Sequence, residues 1–149
     1  MAANDIEYAD RLSRKRARML PFLAMIFLIQ QASFFTSRVE NGERLVDHVK
    51  IGAWLVLSVV LLLMLCTGGA WLQRRSVRAL LNDEVSRANR TAAMRVGFIA
   101  SMSGGVALYL LTFTEAVTGR DAIHMLMTIG IGAALLRFGF LERRAHRDG

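Results

Sequence analysis

Long apolar runs and short, strongly charged segments alternate along the chain. Four runs reach the length of about 20 mostly apolar residues that a helix needs to cross a bilayer. They are residues 19–37, 51–72, 96–114 and 122–141. The second is the clearest, with LVLSVVLLLMLC at its heart. The third contains SMSGG yet holds no charge, and the fourth holds only Arg137, close enough to one end to snorkel. The pattern predicts an all-α fold: an integral membrane four-helix bundle spanning residues 19–149, preceded by a separate segment, residues 1–18.

The polar segments carry patterns of their own. In residues 1–18, Asn4 and Glu7 have capping-box spacing, and Ile6, Ala9 (or Tyr8) and Leu12 form a thin apolar stripe ahead of a basic cluster. This predicts a short amphipathic basic helix lying on the membrane surface, with Pro21 tolerated where the first span begins. Asn41-Gly42 signals a turn in the first connection, and Gly119 a helix stop in the second. The central segment reads QRRSVRALLNDEVSRANRTAAMR, with Val77, Leu80, Leu81, Val85, Ala88 and Ala92 at three- and four-residue steps. Asn82 is placed to cap a helix whose first turn holds Asp83 and Glu84, each one turn from Arg87. The second and third spans are therefore expected to extend past the bilayer as a basic helical hairpin, projecting about 18 Å.

Charge orients this scheme. The chain has 149 residues, a formal charge of +7 and 54% apolar residues, and only two of its nineteen basic residues are lysine. Fifteen of the nineteen fall in residues 1–18, the central segment and the carboxyl end. The other four are Arg38, Arg44, Lys50 and Arg120. The positive-inside rule then places both termini and the hairpin in the cytoplasm of a bacterial inner membrane. Because the arginines flank apolar runs, they serve orientation first, and no direct contact with nucleic acid is expected. With eighteen residues before it and no A-x-A site after it, the first span reads as a retained anchor. The single cysteine, Cys66, is expected to be a small buried side chain.

Small residues dominate the later spans. Gly97, Ser101 and Gly105 recur at four-residue steps in the third, and Gly130 and Ala134 in the fourth, a spacing that lets helices approach closely. Packing between these two spans is the first reading; self-association or docking to a partner's transmembrane helix is the second. Gln30 and Gln31 lie near the middle of the first span, where they either hydrogen-bond between helices or line a polar path. His48 and His124 invite a zinc site with neighbouring carboxylates, but neither H-x-x-x-H nor H-E-x-x-H spacing is present, so no metal is expected. No Asp or Glu falls inside any span, so the proton relay of a drug/proton antiporter is missing. No nucleophile–base pair, phosphate-cradling loop or redox motif appears. Neither a catalytic residue nor a cofactor is expected.

From LLNDEVSRANRTAAMRVGF through DAIHMLMTIGIGAALLRFGFLERRA, roughly residues 78–145, the chain resembles a group of uncharacterised bacterial four-helix membrane proteins. Their shared features are an acidic DE opening the third helix, two apolar spans and a final basic cluster. Some members are encoded beside small helix-turn-helix regulators, which implies a regulatory partner at the membrane. The resemblance carries no functional residue over onto particular positions here.

These patterns lead to the expectation of a non-enzymatic membrane protein that binds or tethers another protein. The expected contacts are Arg74, Arg75, Arg78, Asp83, Glu84, Arg87 and Arg90 on the hairpin. The alternative is a small oligomeric transporter or channel subunit using Gln30 and Gln31.

Overall fold

The computed structural model describes residues 3–40, 45–69, 84–145 and 147, with the backbone alone for 3–6, 9, 32–40 and 45–48. Among them are four helices: α1 (Ala3–Glu40), α2 (Leu45–Thr67), α3 (Glu84–Leu111) and α4 (Gly119–Ala145). Three segments, Val49–Thr67, Glu84–Leu111 and Gly119–Ala145, are long and apolar enough to cross a membrane. Phe98, Ile99, Met102, Val106 and Tyr109 of α3 all point outward. In water, an apolar patch of that extent would be a liability; in hydrocarbon it is the ordinary outer face of a span.

Each of the first three helices buries one stripe. On α1 it runs Ala17, Leu20, Ala24, Phe27 and Gln31; on α2, Trp54, Ser58, Leu61 and Leu65; on α3, Ser86, Ala93 and Gly97. Steps of three and four residues put each set on one face. Helix α4 is different: it is flanked by α3 on one side and α1 on another, with α2 in lighter contact. It accordingly buries a broad face, from His124 to Glu142, while Ile129, Leu136, Arg137 and Phe140 stay exposed on the opposite side. Glycine permits this double contact. A Cβ on Gly130 would lie 3.4 Å from the Gly97 carbonyl oxygen on α3, and one on Gly132 would lie 2.9 Å from Leu28 Cδ2 on α1.

Several boundaries differ from the sequence expectation. Helix α1 is continuous through Pro21, so residues 3–18 belong to the same helix as residues 19–37 instead of forming a separate one; α1 is not among the three segments long and apolar enough to cross a membrane. Its length, about 57 Å at 1.5 Å per residue, far exceeds the hydrocarbon thickness of about 30 Å. Contacts from Arg16 and Ala17 to the end of α4 hold this extension against the bundle. Helix α2 stops at Thr67, short of residue 72, because Gly68 and Gly69 adopt φ of 67° and 73°. Left-handed conformations at successive residues end a helix, and glycine enters them without a Cβ clash. The second span therefore does not continue as an unbroken hairpin arm. Gly119 begins α4 and does not stop a helix; Thr118 caps it, accepting from the Asp121 backbone N–H at 3.2 Å. Cys66 follows the buried Leu65 onto the outer face of α2 and is exposed.

Candidate functional site

The feature that gathers most of the chain is a buried ion pair at the arginine-rich end. Arg16 continues the inward stripe of α1 one turn before Leu20, and Glu142 continues that of α4 one turn beyond Phe138. Arg16 Nη2 donates to Glu142 Oε2 at 2.5 Å, and the two side chains are only 10% and 5% exposed. The same nitrogen donates to Ser86 Oγ on α3 at 2.8 Å, and Nη1 donates to the Gly68 carbonyl at 2.9 Å. Asn89 Nδ2 of α3 donates to the second carboxylate oxygen of Glu142 at 3.3 Å. The guanidinium also lies 5.6 Å from the centroid of the Phe138 ring.

One planar fork thus ties α1, the turn after α2, α3 and α4 together. Arginine suits this role because its donors are rigidly spaced and charge-assisted bonds are the strong ones. Gly68 is favoured chiefly by its backbone, the neighbouring Arg90 being a flexible side chain that can shift. Its positive φ ends α2, and a Cβ there would lie 3.0 Å from Arg90 Nη1. Both Glu142 oxygens are engaged by protein donors, so the arrangement acts as a clasp between helices. Sequence reading counted Arg16 as one of many tail charges and passed over Glu142. The available signal was that both positions continue the inward stripes.

A second polar cluster lies toward the opposite end, eighteen residues before Glu142 on α4 and so about 27 Å away. His124 Nε2 is hydrogen-bonded to Gln31 Oε1 of α1, and the Trp54 ring of α2 stacks on the imidazole at a centroid distance of 4.0 Å. All three side chains are buried. They link α1, α2 and α4. Gln30, one residue earlier, is exposed, so the two glutamines face in different directions and line no common path. Gln31→Leu is expected to lower stability by about 1 kcal/mol, the usual scale of an interhelical hydrogen bond in a membrane. Gln30→Leu is expected to leave the melting temperature within experimental error. Thermal unfolding of the two variants in mild detergent checks the contrast.

The remaining candidates are distributed as follows. Gly97, Ser101, Gly130 and Ala134 meet between α3 and α4. A Cβ on Gly97 would lie 2.7 Å from the Gly130 carbonyl oxygen and 2.8 Å from Ala134 Cβ, while Ser101 Oγ donates to the Leu126 carbonyl at 3.4 Å. Gly105 sits at the margin, where an added Cβ would meet Leu126 only at ordinary contact distance; a Cβ on Gly104 would lie closer to α4, 3.0 Å from Ile129 Cδ1. Glu84 and Arg87 are exposed on the first turn of α3 and form no ion pair with each other, contrary to expectation. Arg90 is half-buried beside Gly68. Arg74, Arg75, Arg78, Asn82 and Asp83 lie outside the described residues, as do the Asn41-Gly42 turn and the side chains of Asn4 and His48. Among the described residues, no group of three or more His, Cys, Asp and Glu side chains converges as a metal site would. Compared with known protein families, characterised proteins and solved structures, the chain matches none of them.

Proposed function

We propose that the protein is a non-enzymatic bacterial inner-membrane protein that tethers a protein partner through the arginine-rich segment between α2 and α3. One observation carries this reading: Gly68 and Ser86, on either side of residues 70–83, are hydrogen-bonded to the same guanidinium. The residues that flank the segment therefore meet at one anchored place. A connection carrying Arg74, Arg75 and Arg78 and held at both ends loses less entropy on binding than a free tail. The excess of basic residues at this end supports a cytoplasmic orientation, with four spans and both termini inside. It also favours a partner surface rich in acidic groups. If residues 78–145 resemble that membrane-protein group, of which some members are encoded beside helix-turn-helix regulators, a regulator would be one fitting partner.

The test is site-specific photo-crosslinking in native membranes from position 87, which is exposed on the first turn of α3. A single heterologous partner is expected, with recovery reduced at least tenfold when Arg74, Arg75 and Arg78 are all changed to glutamate. Recovery of the protein alone, or of the same partner despite the charge reversal, would overturn the reading. The transporter alternative gains no support from the glutamines, since Gln31 is committed to His124 and Gln30 faces outward.

A further inference from the structure

Helices α1 and α4 cross closely where a Cβ on Gly139 would lie 2.8 Å from Pro21 Cδ. Toward the arginine-rich end, Arg143 bridges the pair. Its Nε donates to the Ala17 carbonyl at 3.2 Å and its Nη2 to the Arg18 carbonyl at 3.4 Å. There the two helices border a cavity of about 720 Å³, whose lining includes Asp10, Arg14, Ala17, Arg18, Arg143 and Arg147. Four guanidiniums face one carboxylate, and that carboxylate is held by Arg14 at 2.7 Å. Arg18 and Arg147 form no ion pair among the described residues. None of the clasp side chains lines this cavity.

The surface beside the cavity changes character along the helices. From Arg14 and Arg18, further turns of α1 bring Phe22, Met25 and Ile29 onto roughly the same face, all exposed. From Arg143, turns of α4 in the reverse direction bring Phe140 and Leu136, also exposed. A cationic pocket therefore opens onto two exposed apolar strips.

We infer that this cavity binds the phosphate headgroup of an anionic membrane lipid, with the acyl chains lying along α1 and α4. Guanidinium forks match phosphate oxygens in pairs, and basic pockets between membrane helices suit such headgroups. A soluble phosphate shares the headgroup chemistry but has nothing to place on the apolar strips. The site is separate from the segment proposed to hold a protein partner and does not depend on that reading.

The full-length protein in mild detergent, titrated with phosphatidylglycerol, phosphatidylcholine or inorganic phosphate and read by native mass spectrometry, tests this. Retention of phosphatidylglycerol at least tenfold tighter than phosphatidylcholine is expected, with no retention of inorganic phosphate. Arg18→Gln combined with Arg147→Gln is expected to weaken phosphatidylglycerol binding about 30-fold, equivalent to about 2 kcal/mol at about 1.4 kcal/mol per factor of ten. Arg11→Gln combined with Arg95→Gln removes the same charge outside the cavity and is expected to change binding less than threefold. Equal retention of the two lipids by the unaltered protein would overturn the inference. So would comparable binding of inorganic phosphate, or an equal loss in both double variants.

Discussion

Replacing Glu142 by alanine is expected to lower the stability of the bundle by about 3–5 kcal/mol, the cost of removing one partner of a buried ion pair. Arg16 would keep its bonds to Gly68 and Ser86 but lose the only carboxylate it is paired with among the described residues. Asn89 would lose its acceptor as well. The reciprocal change, Arg16→Ala, is expected to be at least as costly, because it frees Glu142 and also leaves the Gly68 carbonyl without its donor. Exchanging the charges, Arg16→Glu with Glu142→Arg, is not expected to restore stability. The guanidinium would then project from α4 and lose the geometry that reaches Gly68 and Ser86. An apolar pair, Arg16→Met with Glu142→Leu, is expected to recover part of the loss, since removing both charges avoids an unpaired one. Thermal unfolding in mild detergent, followed by circular dichroism, ranks the four variants. A Glu142→Ala protein as stable as the original would show that the clasp does not hold the helices.

Gly97→Leu is expected to cost about 3 kcal/mol by forcing α3 away from α4. A Cβ at this position would already lie 2.7 Å from the backbone oxygen of Gly130, which cannot rotate aside as a side chain can. At Gly130 the obstacle is Ser101 Oγ, 2.1 Å from the position a Cβ would take. Gly130→Ala is therefore expected to cost about 1–3 kcal/mol, and adding Ser101→Ala to relieve much of it. That gives a non-additive pair of the kind expected for residues in contact. Gly52→Ala is the control: nothing lies within 4 Å of its Cβ position, and a change of no more than about 1 kcal/mol, in the stabilising direction, is expected. Equal melting temperatures for Gly97→Leu and Gly52→Ala would mean that α3 and α4 do not rely on close approach.

How much of this was legible depended on the kind of signal. Apolar length located the helical spans because hydrocarbon thickness sets it, and small residues at four-residue steps located the α3–α4 contact because backbone approach demands them. The end of α2 was written in Gly68-Gly69, but the apolar run through Leu72 masked it. The continuity of α1 was hidden by Pro21, which reads as a boundary in water. In a packed membrane helix, neighbours can satisfy the backbone group that proline frees. The clasp was legible only in part. Arg16 and Glu142 each continue an inward stripe, but a stripe cannot say which charge on another helix waits opposite.

By itself the sequence determined a helical membrane protein, the approximate extent of its apolar spans, the concentration of arginine at one end and the small-residue seam. Each of these rests on local composition or on helical periodicity, and neighbouring residues carry that information directly. Only the tertiary structure decided that α4 is the shared centre. It alone showed that Gln31 belongs to His124 and not to Gln30, and that Arg16 is withdrawn from the arginine-rich tail to bind three other parts of the chain. Those outcomes depend on which helix faces meet. Residues 16, 68, 86 and 142 are brought together by packing against α4, and no sequence interval links them.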